Sequence, residues 1–126
     1  MSSTPKARIL VVDDEEDLRK LLDAAVSKAG YHVTTAIDGS EAIAKVKSAT
    51  FDIALLDIQM PNASGIEVLK YLQLNSPRTK SIILTGYADL KYAMEAKEFG
   101  ASDFIRKPYT LEDILRTLER VLAEKP

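Results

Sequence analysis

Four side chains in this sequence could do phosphoryl chemistry together: Asp13, Asp14, Asp57 and Lys107. Each stands where an apolar run stops. Ile9 to Val12 runs into Asp13-Asp14-Glu15, Ile53 to Leu56 runs into Asp57, and Phe104-Ile105-Arg106 runs into Lys107-Pro108. An aliphatic run bounded by turn residues reads as a strand buried on both faces, and open α/β sheets bind ligands outside the carboxyl ends of such strands. The three aspartates and the lysine are therefore expected at one sheet edge. Paired carboxylates are hard oxygen ligands that suit Mg²⁺. A carboxylate attacking phosphorus needs the charge of the incoming group neutralised, and a divalent ion with a lysine does that. Thr85, closing another apolar run, adds a hydroxyl at the same edge, and Gly86 leaves room beside it.

Simpler explanations cover part of the acidic run. Acidic side chains near a helix N-terminus each gain ~0.3 to 1 kcal/mol from the helix dipole, which accounts for Glu15, Glu16 and Asp17. Asp13 and Asp14 follow the strand directly, where a second adjacent carboxylate adds repulsion without structural return, so metal binding is preferred for that pair. Asp57 in isolation would read as a turn-former. It gains weight from its position after the most apolar strand and from Met60-Pro61 and Gly65, which lie between it and the next helix.

The elements that must position these residues alternate regularly. Leu18, Leu21, Leu22, Ala25, Val26 and Ala29 recur at helical spacing after the first strand, and Gly30 stands where a left-handed helix stop is wanted. Val33 to Ala36 resembles an edge strand, preceded by His32, the only histidine, to which no role is assigned. Asp38 with Glu41, Ser64 with Glu67, and Thr110 with Asp113 are capping pairs for further helices, and Asp89 caps another that Gly100 ends. Strands at Ile53 to Leu56, Ile82 to Leu84 and Phe104 to Arg106 complete a (βα)5 pattern. Such alternation with doubly buried strands demands a parallel sheet covered on both faces, the doubly wound α/β class.

The composition agrees with one domain. The 126 residues are 46% hydrophobic, the net charge is −2 with both signs dispersed, and there is no cysteine. No basic stripe points to direct nucleic-acid binding, no disulfide or thiolate chemistry is available, and no run approaches the ~18 apolar residues of a membrane helix. A cytoplasmic protein is expected. Residues 1–6 read as a flexible lead, 7–122 as the folded unit, and 123–126 as a tail or the start of a linker.

In combination these motifs resemble the receiver domain of two-component response regulators, the CheY-like superfamily. The resemblance runs from about Ala7 to Leu122 and rests on Asp13-Asp14, Asp57 with Met60-Pro61 and Gly65, Thr85-Gly86, and Lys107-Pro108, all in order at strand ends. It implies a strand order of 2-1-3-4-5. It also implies that Asp57 is the phospho-acceptor and that Asp13, Asp14, Asp57 and the Gln59 main-chain carbonyl surround Mg²⁺. Lys107 would hold a phosphoryl oxygen, behind a cis peptide to Pro108, and Thr85 would bond the phosphoryl group after transfer. Phe104 matches the switch aromatic, while Gln59 and Tyr87 match positions that adjust phosphoryl lifetime; the bulky Tyr87 predicts slow hydrolysis. A sensor histidine kinase or phosphotransfer protein is the implied donor. A homodimer or output domain is implied as a partner of the fourth helix, fifth strand and fifth helix, including Lys91, Tyr92, Glu95, Arg106 and Tyr109. The stretches Leu84 to Asp89 and Phe104 to Pro108 look like receivers of NtrC-like transcriptional regulators.

Three rivals share the pattern. A flavodoxin-like or nucleotide-binding protein would cradle phosphate with glycine and hydroxyl residues after the first strand, where this chain carries four acids. A haloacid-dehalogenase-like phosphatase would need a second aspartate two residues beyond Asp57, where Gln59 stands, so turnover is not expected. An unphosphorylated, receiver-like interaction module has no physical need for the repulsive acidic cluster, yet the sequence leaves it open.

Overall fold

The computed structural model describes residues 7–58, 65–86 and 90–124, residues 90–93 by their backbone alone. Five strands and five helices alternate: β1 (Arg8–Val12), α1 (Glu16–Lys28), β2 (His32–Ala36), α2 (Gly39–Ser48), β3 (Ile53–Asp57), α3 (Gly65–Asn75), β4 (Lys80–Thr85), α4 (Leu90–Glu98), β5 (Asp103–Arg106) and α5 (Leu111–Ala123). All strand pairings are parallel, in the order β2-β1-β3-β4-β5. This is the doubly wound sheet expected, in the order implied by the resemblance.

Alternation along the strands divides the core into two layers. Leu10, Val12, Ala54, Leu56 and Ile83 face α2, α3 and α4 through Ala42, Ile66, Val68, Leu69, Leu72 and Ala96. Ile9, Val11, Ile53, Leu55, Ile82, Leu84 and Ile105 face α1 and α5 through Leu22, Val26, Ile114, Leu118 and Val121. Burying each of these large aliphatic side chains contributes ~1.5 to 3 kcal/mol against leaving it in water. Packing on both faces is why β1, β3 and β4 read as unbroken apolar runs.

Local signals behave as the chemistry requires, with some differences. Gly30 and Gly100 both hold positive φ, 103° and 85°, and turn the chain out of α1 and α4. Thr110 and Asp113 form a reciprocal capping box on α5. Asp38 accepts from the Glu41 N–H, but the Glu41 carboxylate reaches the Ile37 N–H instead of returning to Asp38. His32 is the exposed first residue of β2 and does not precede it. Gly65 is the first residue of α3, not a member of the loop before it. Ser64 and Asp89, expected as caps, lie outside the described residues.

Candidate functional site

Register alone brings the chemistry-bearing residues together. Val12 pairs with Leu56, so Asp13 and Asp57 follow as neighbours at the ends of β1 and β3. Asp57 pairs with Leu84 and Thr85 pairs with Arg106, which sets Thr85 and Lys107 one step further along the same edge. The Lys107 N–H continues the ladder to the Thr85 carbonyl at 2.7 Å. The edge lies where the connections leave β1 toward β2 on one side and β3 on the other, the reversal point at which such sheets open a crevice.

Asp13, Asp14 and Asp57 each offer a carboxylate oxygen within 4.8 Å of the others. The adjacent pair is not equivalent: Asp13 is fully buried and Asp14 is exposed. Asp13 is held on several sides. Its N–H donates to Ala36 at the end of β2, its carbonyl accepts from Arg19 Nη1 at 3.0 Å, and its Oδ1 accepts from the Glu15 N–H at 2.9 Å. Among the described residues, Asp13 Oδ2 is buried without a hydrogen-bond partner. Burial, foremost, pushes its carboxyl up to about 6; the Glu15 N–H opposes this, the Asp57 charge adds to it, Lys107 opposes it, and Asp14 adds to it.

Asp57 is 3% exposed, and Lys107 Nζ lies 3.3 Å from its Oδ2. The Lys107–Pro108 peptide is cis, as the resemblance implied. Thr85 is buried, and its hydroxyl donates a long 3.3 Å bond to the Gly86 carbonyl. A Cβ added to Gly65 would come 2.5 Å from the Asp57 carbonyl oxygen and 2.9 Å from Ile58 Cα, so α3 starts directly against the backbone that carries Asp57.

These contacts pass the chemical test for a hard cation. Three carboxylates crowd together, one has an oxygen buried and unmatched among the described residues, and burial already favours its protonation. A divalent ion bound by Asp13, Asp14 and Asp57 would match that oxygen and offset the repulsion.

A family model described as the response regulator receiver domain matches residues 9–119. This chain belongs to that family. The receiver domain is 36% identical over 115 residues to the regulatory protein AtoC of Escherichia coli (strain K12), covering 91% of this chain and 25% of AtoC. It is 35% identical over 115 residues to the DNA-binding transcriptional regulator NtrC of Salmonella typhimurium, covering 91% of this chain and 24% of NtrC. It thus spans about a quarter of the length of those two relatives. Among solved structures, the receiver domain of NtrX from Brucella abortus matches with a TM-score of 0.86 and 30% identity, over 93% of this chain and 99% of that one. The chemotaxis protein CheY4 of Vibrio cholerae matches with a TM-score of 0.84 and 37% identity, over 91% and 98%. The likeness to AtoC and NtrC agrees with the NtrC-like character of the β4 and β5 ends.

The receiver site brings Asp13, Asp14, Asp57, Thr85 and Lys107 to one edge. Phe104 sits on β5 paired with Ile83, half-buried against the layer under α2 to α4. Gln59 and Tyr87, with Met60 and Pro61, lie outside the described residues, as do the side chains of Lys91 and Tyr92. Tyr109, named with the output face, is half-buried: its ring packs with the α1 and α5 layer and its hydroxyl is buried. The turn-like segment Lys107-Pro108-Tyr109-Thr110 concealed this, because nothing in its composition shows that the aromatic turns inward. Arg19 was also missed. Its signal was a cation within the first turns of a helix whose N-terminus is otherwise acidic.

Proposed function

We propose that this receiver domain is a phosphorylation-dependent switch whose phospho-acceptor is Asp57. The observation that carries the reading is the buried Asp57 carboxylate with Lys107 at 3.3 Å on one side and the Asp13–Asp14 pair on the other. Asp13, Asp14 and Asp57, with the Gln59 main-chain carbonyl, would hold a Mg²⁺ ion, which when bound would supply positive charge against the phosphoryl oxygens. An Asp57 oxygen attacks phosphorus and forms the O–P bond as the donor's bond to phosphorus breaks, the donor leaving with the electron pair. Lys107 turns from the Asp57 carboxylate to a phosphoryl oxygen, and Thr85 exchanges its long bond to Gly86 for one to the phosphoryl group.

The same account makes Thr85 and Phe104 the switch pair. Withdrawal of the Thr85 side chain toward the phosphate opens space over β5, into which the half-buried Phe104 ring turns. Two discrete packings give the charge change something to select. The surface that changes is built from α4, β5 and α5, where Met94, Glu95 and Arg106 are exposed. It meets a second copy or an output domain. The donor is a sensor histidine kinase or phosphotransfer protein in the cytoplasm, and Gln59 and Tyr87 set phosphoryl lifetime. Residues 7–122 form the switching unit. It holds one phosphoryl group and does not turn over a substrate.

Labelling from acetyl phosphate tests this reading. Stable incorporation that requires Mg²⁺ and stops with EDTA is expected. No incorporation at any Mg²⁺ concentration would leave an unphosphorylated interaction module, and rapid multiple turnover would indicate a phosphatase.

A further inference from the structure

Arg19 reaches back from α1 into the acidic loop. Its Nη1 donates to the Asp13 main-chain carbonyl at 3.0 Å, across six residues of sequence. Arg19 is the fourth residue of α1, close to a helix N-terminus where the dipole favours acids such as Glu16 and Asp17 and disfavours a cation. A guanidinium placed against that preference calls for a reason. Its hydrogen bond goes to a carbonyl and not to a carboxylate, so it occupies none of the side-chain oxygens that a metal ion would use.

The helix itself delivers the side chain. The Arg19 N–H is held by the Glu15 carbonyl at 2.9 Å, which fixes the backbone from which the side chain departs. Helical side chains lean toward the helix N-terminus, so a residue one turn in covers the loop that precedes the helix. Arg19 is half-buried there.

What it holds is the planar peptide that joins Asp13 to Asp14. The Asp13 N–H is already tied to the Ala36 carbonyl at 3.2 Å, and Asp13 Oδ1 accepts from the Glu15 N–H at 2.9 Å. Arg19 secures the carbonyl, the remaining polar group of the Asp13 main chain. Asp14 has no comparable restraint of its own: it is exposed, and its carboxylate takes no hydrogen bond among the described residues. Its place within 4.8 Å of Asp13 and Asp57 therefore depends on the peptide that leads into it.

We propose that Arg19 is a positioning residue of the acidic site, holding the Asp13–Asp14 peptide so that the two adjacent carboxylates are set for Mg²⁺. This ion demands near-ideal octahedral geometry, so ligands that wander lose affinity for it. Groups behind a metal's direct ligands act by orienting them. As a charge alone Arg19 would repel a divalent cation. Positioning and simple electrostatics thus predict opposite signs when the guanidinium is removed.

The inference rests on the Mg²⁺ reading of the acidic group, and titration calorimetry with MgCl₂ alone separates the two. The wild-type protein should bind Mg²⁺. Arg19→Met, which keeps most of the stem's packing and removes the donor, should bind it about three- to tenfold more weakly. Arg19→Lys, with a charged donor on a flexible stem, should fall between the two. Circular dichroism in EDTA reports whether each variant is folded; if Arg19→Met is not, Arg19→Lys decides by binding Mg²⁺ more weakly than the wild type or not. Affinity equal to the wild type or tighter in the folded variant would overturn the role of Arg19 while sparing the site. No Mg²⁺ binding by the wild type would overturn both the inference and the reading beneath it.

Discussion

Lys107 Nζ and Asp57 Oδ2 lie 3.3 Å apart although 50 residues separate them in sequence and β4 runs between their strands. Asp57 ends β3, Lys107 follows β5, and the contact spans the carboxyl edge of the sheet. Replacing Lys107 leaves Asp57 buried beside two other carboxylates. Lys107→Ala should destabilise the metal-free protein by about 1 to 2 kcal/mol, less than a fully buried pair because the lysine is partly solvated. Urea denaturation at neutral pH reads this, and an unchanged midpoint would show that the pair adds nothing net.

Asp13 should behave in the opposite sense. Its carboxyl is raised from 3.8 to about 6 in the folded protein, so between those pH values the native state binds more protons than the unfolded chain. Its contribution to stability therefore falls as pH rises through that window, and near neutral pH the metal-free protein carries a full penalty. Asp13→Asn should raise metal-free stability at pH 7 by on the order of 1 to 3 kcal/mol and abolish stabilisation by added Mg²⁺. Thermal melts at pH 5 and 7, with EDTA or MgCl₂, check both parts. A variant less stable than wild type at pH 7 in EDTA contradicts this account.

Gly65→Ala tests the support under the acceptor. The new methyl group meets backbone atoms of Asp57 and Ile58 closer than any real contact, so α3 or the end of β3 must move. Destabilisation of about 1 to 3 kcal/mol is expected, together with slower phosphoryl incorporation. Chemical denaturation and labelling rate measure the two effects, and wild-type values for both would show that the helix start gives way freely.

The start of α5 offers a control remote from phosphoryl chemistry. The Asp113 carboxyl is held below its ordinary value chiefly by the Thr110 N–H and then by the Thr110 hydroxyl. A depressed carboxyl stabilises above its unfolded value, and that stability is lost as pH falls through the lowered one. Thr110→Ala should cost about 1 kcal/mol at pH 7 while leaving Mg²⁺ affinity unchanged. Denaturation with Mg²⁺ titration tests it; weakened Mg²⁺ binding would mean that the cap also orders the site.

Most of the sheet and the charged edge were legible because the aliphatic runs of β1, β3 and β4 give way abruptly to a carboxylate or a hydroxyl, and β5 runs into Lys107. Doubly buried β1, β3 and β4 leave no other place for their apolar runs. What was not legible depends on which way adjacent residues turn once pairing ends. Asp13 and Asp14 look alike in sequence, yet one is sealed in and the other faces solvent. Tyr109 sits in a segment of turn composition, and only the packing of α5 beside α1 draws its ring inward. Gly65 reads as a loop breaker, although its use is to let a helix begin against β3. Arg19 binds a main-chain carbonyl, a partner that side-chain patterning does not reveal.

The most direct test of the central claim is the intact mass of the protein after acetyl phosphate and Mg²⁺, compared with Asp57→Asn under the same conditions. The wild type should gain the mass of one phosphoryl group, and Asp57→Asn should gain none. An equal gain by both proteins, or none by the folded, Mg²⁺-loaded wild type, would contradict Asp57 as the phospho-acceptor.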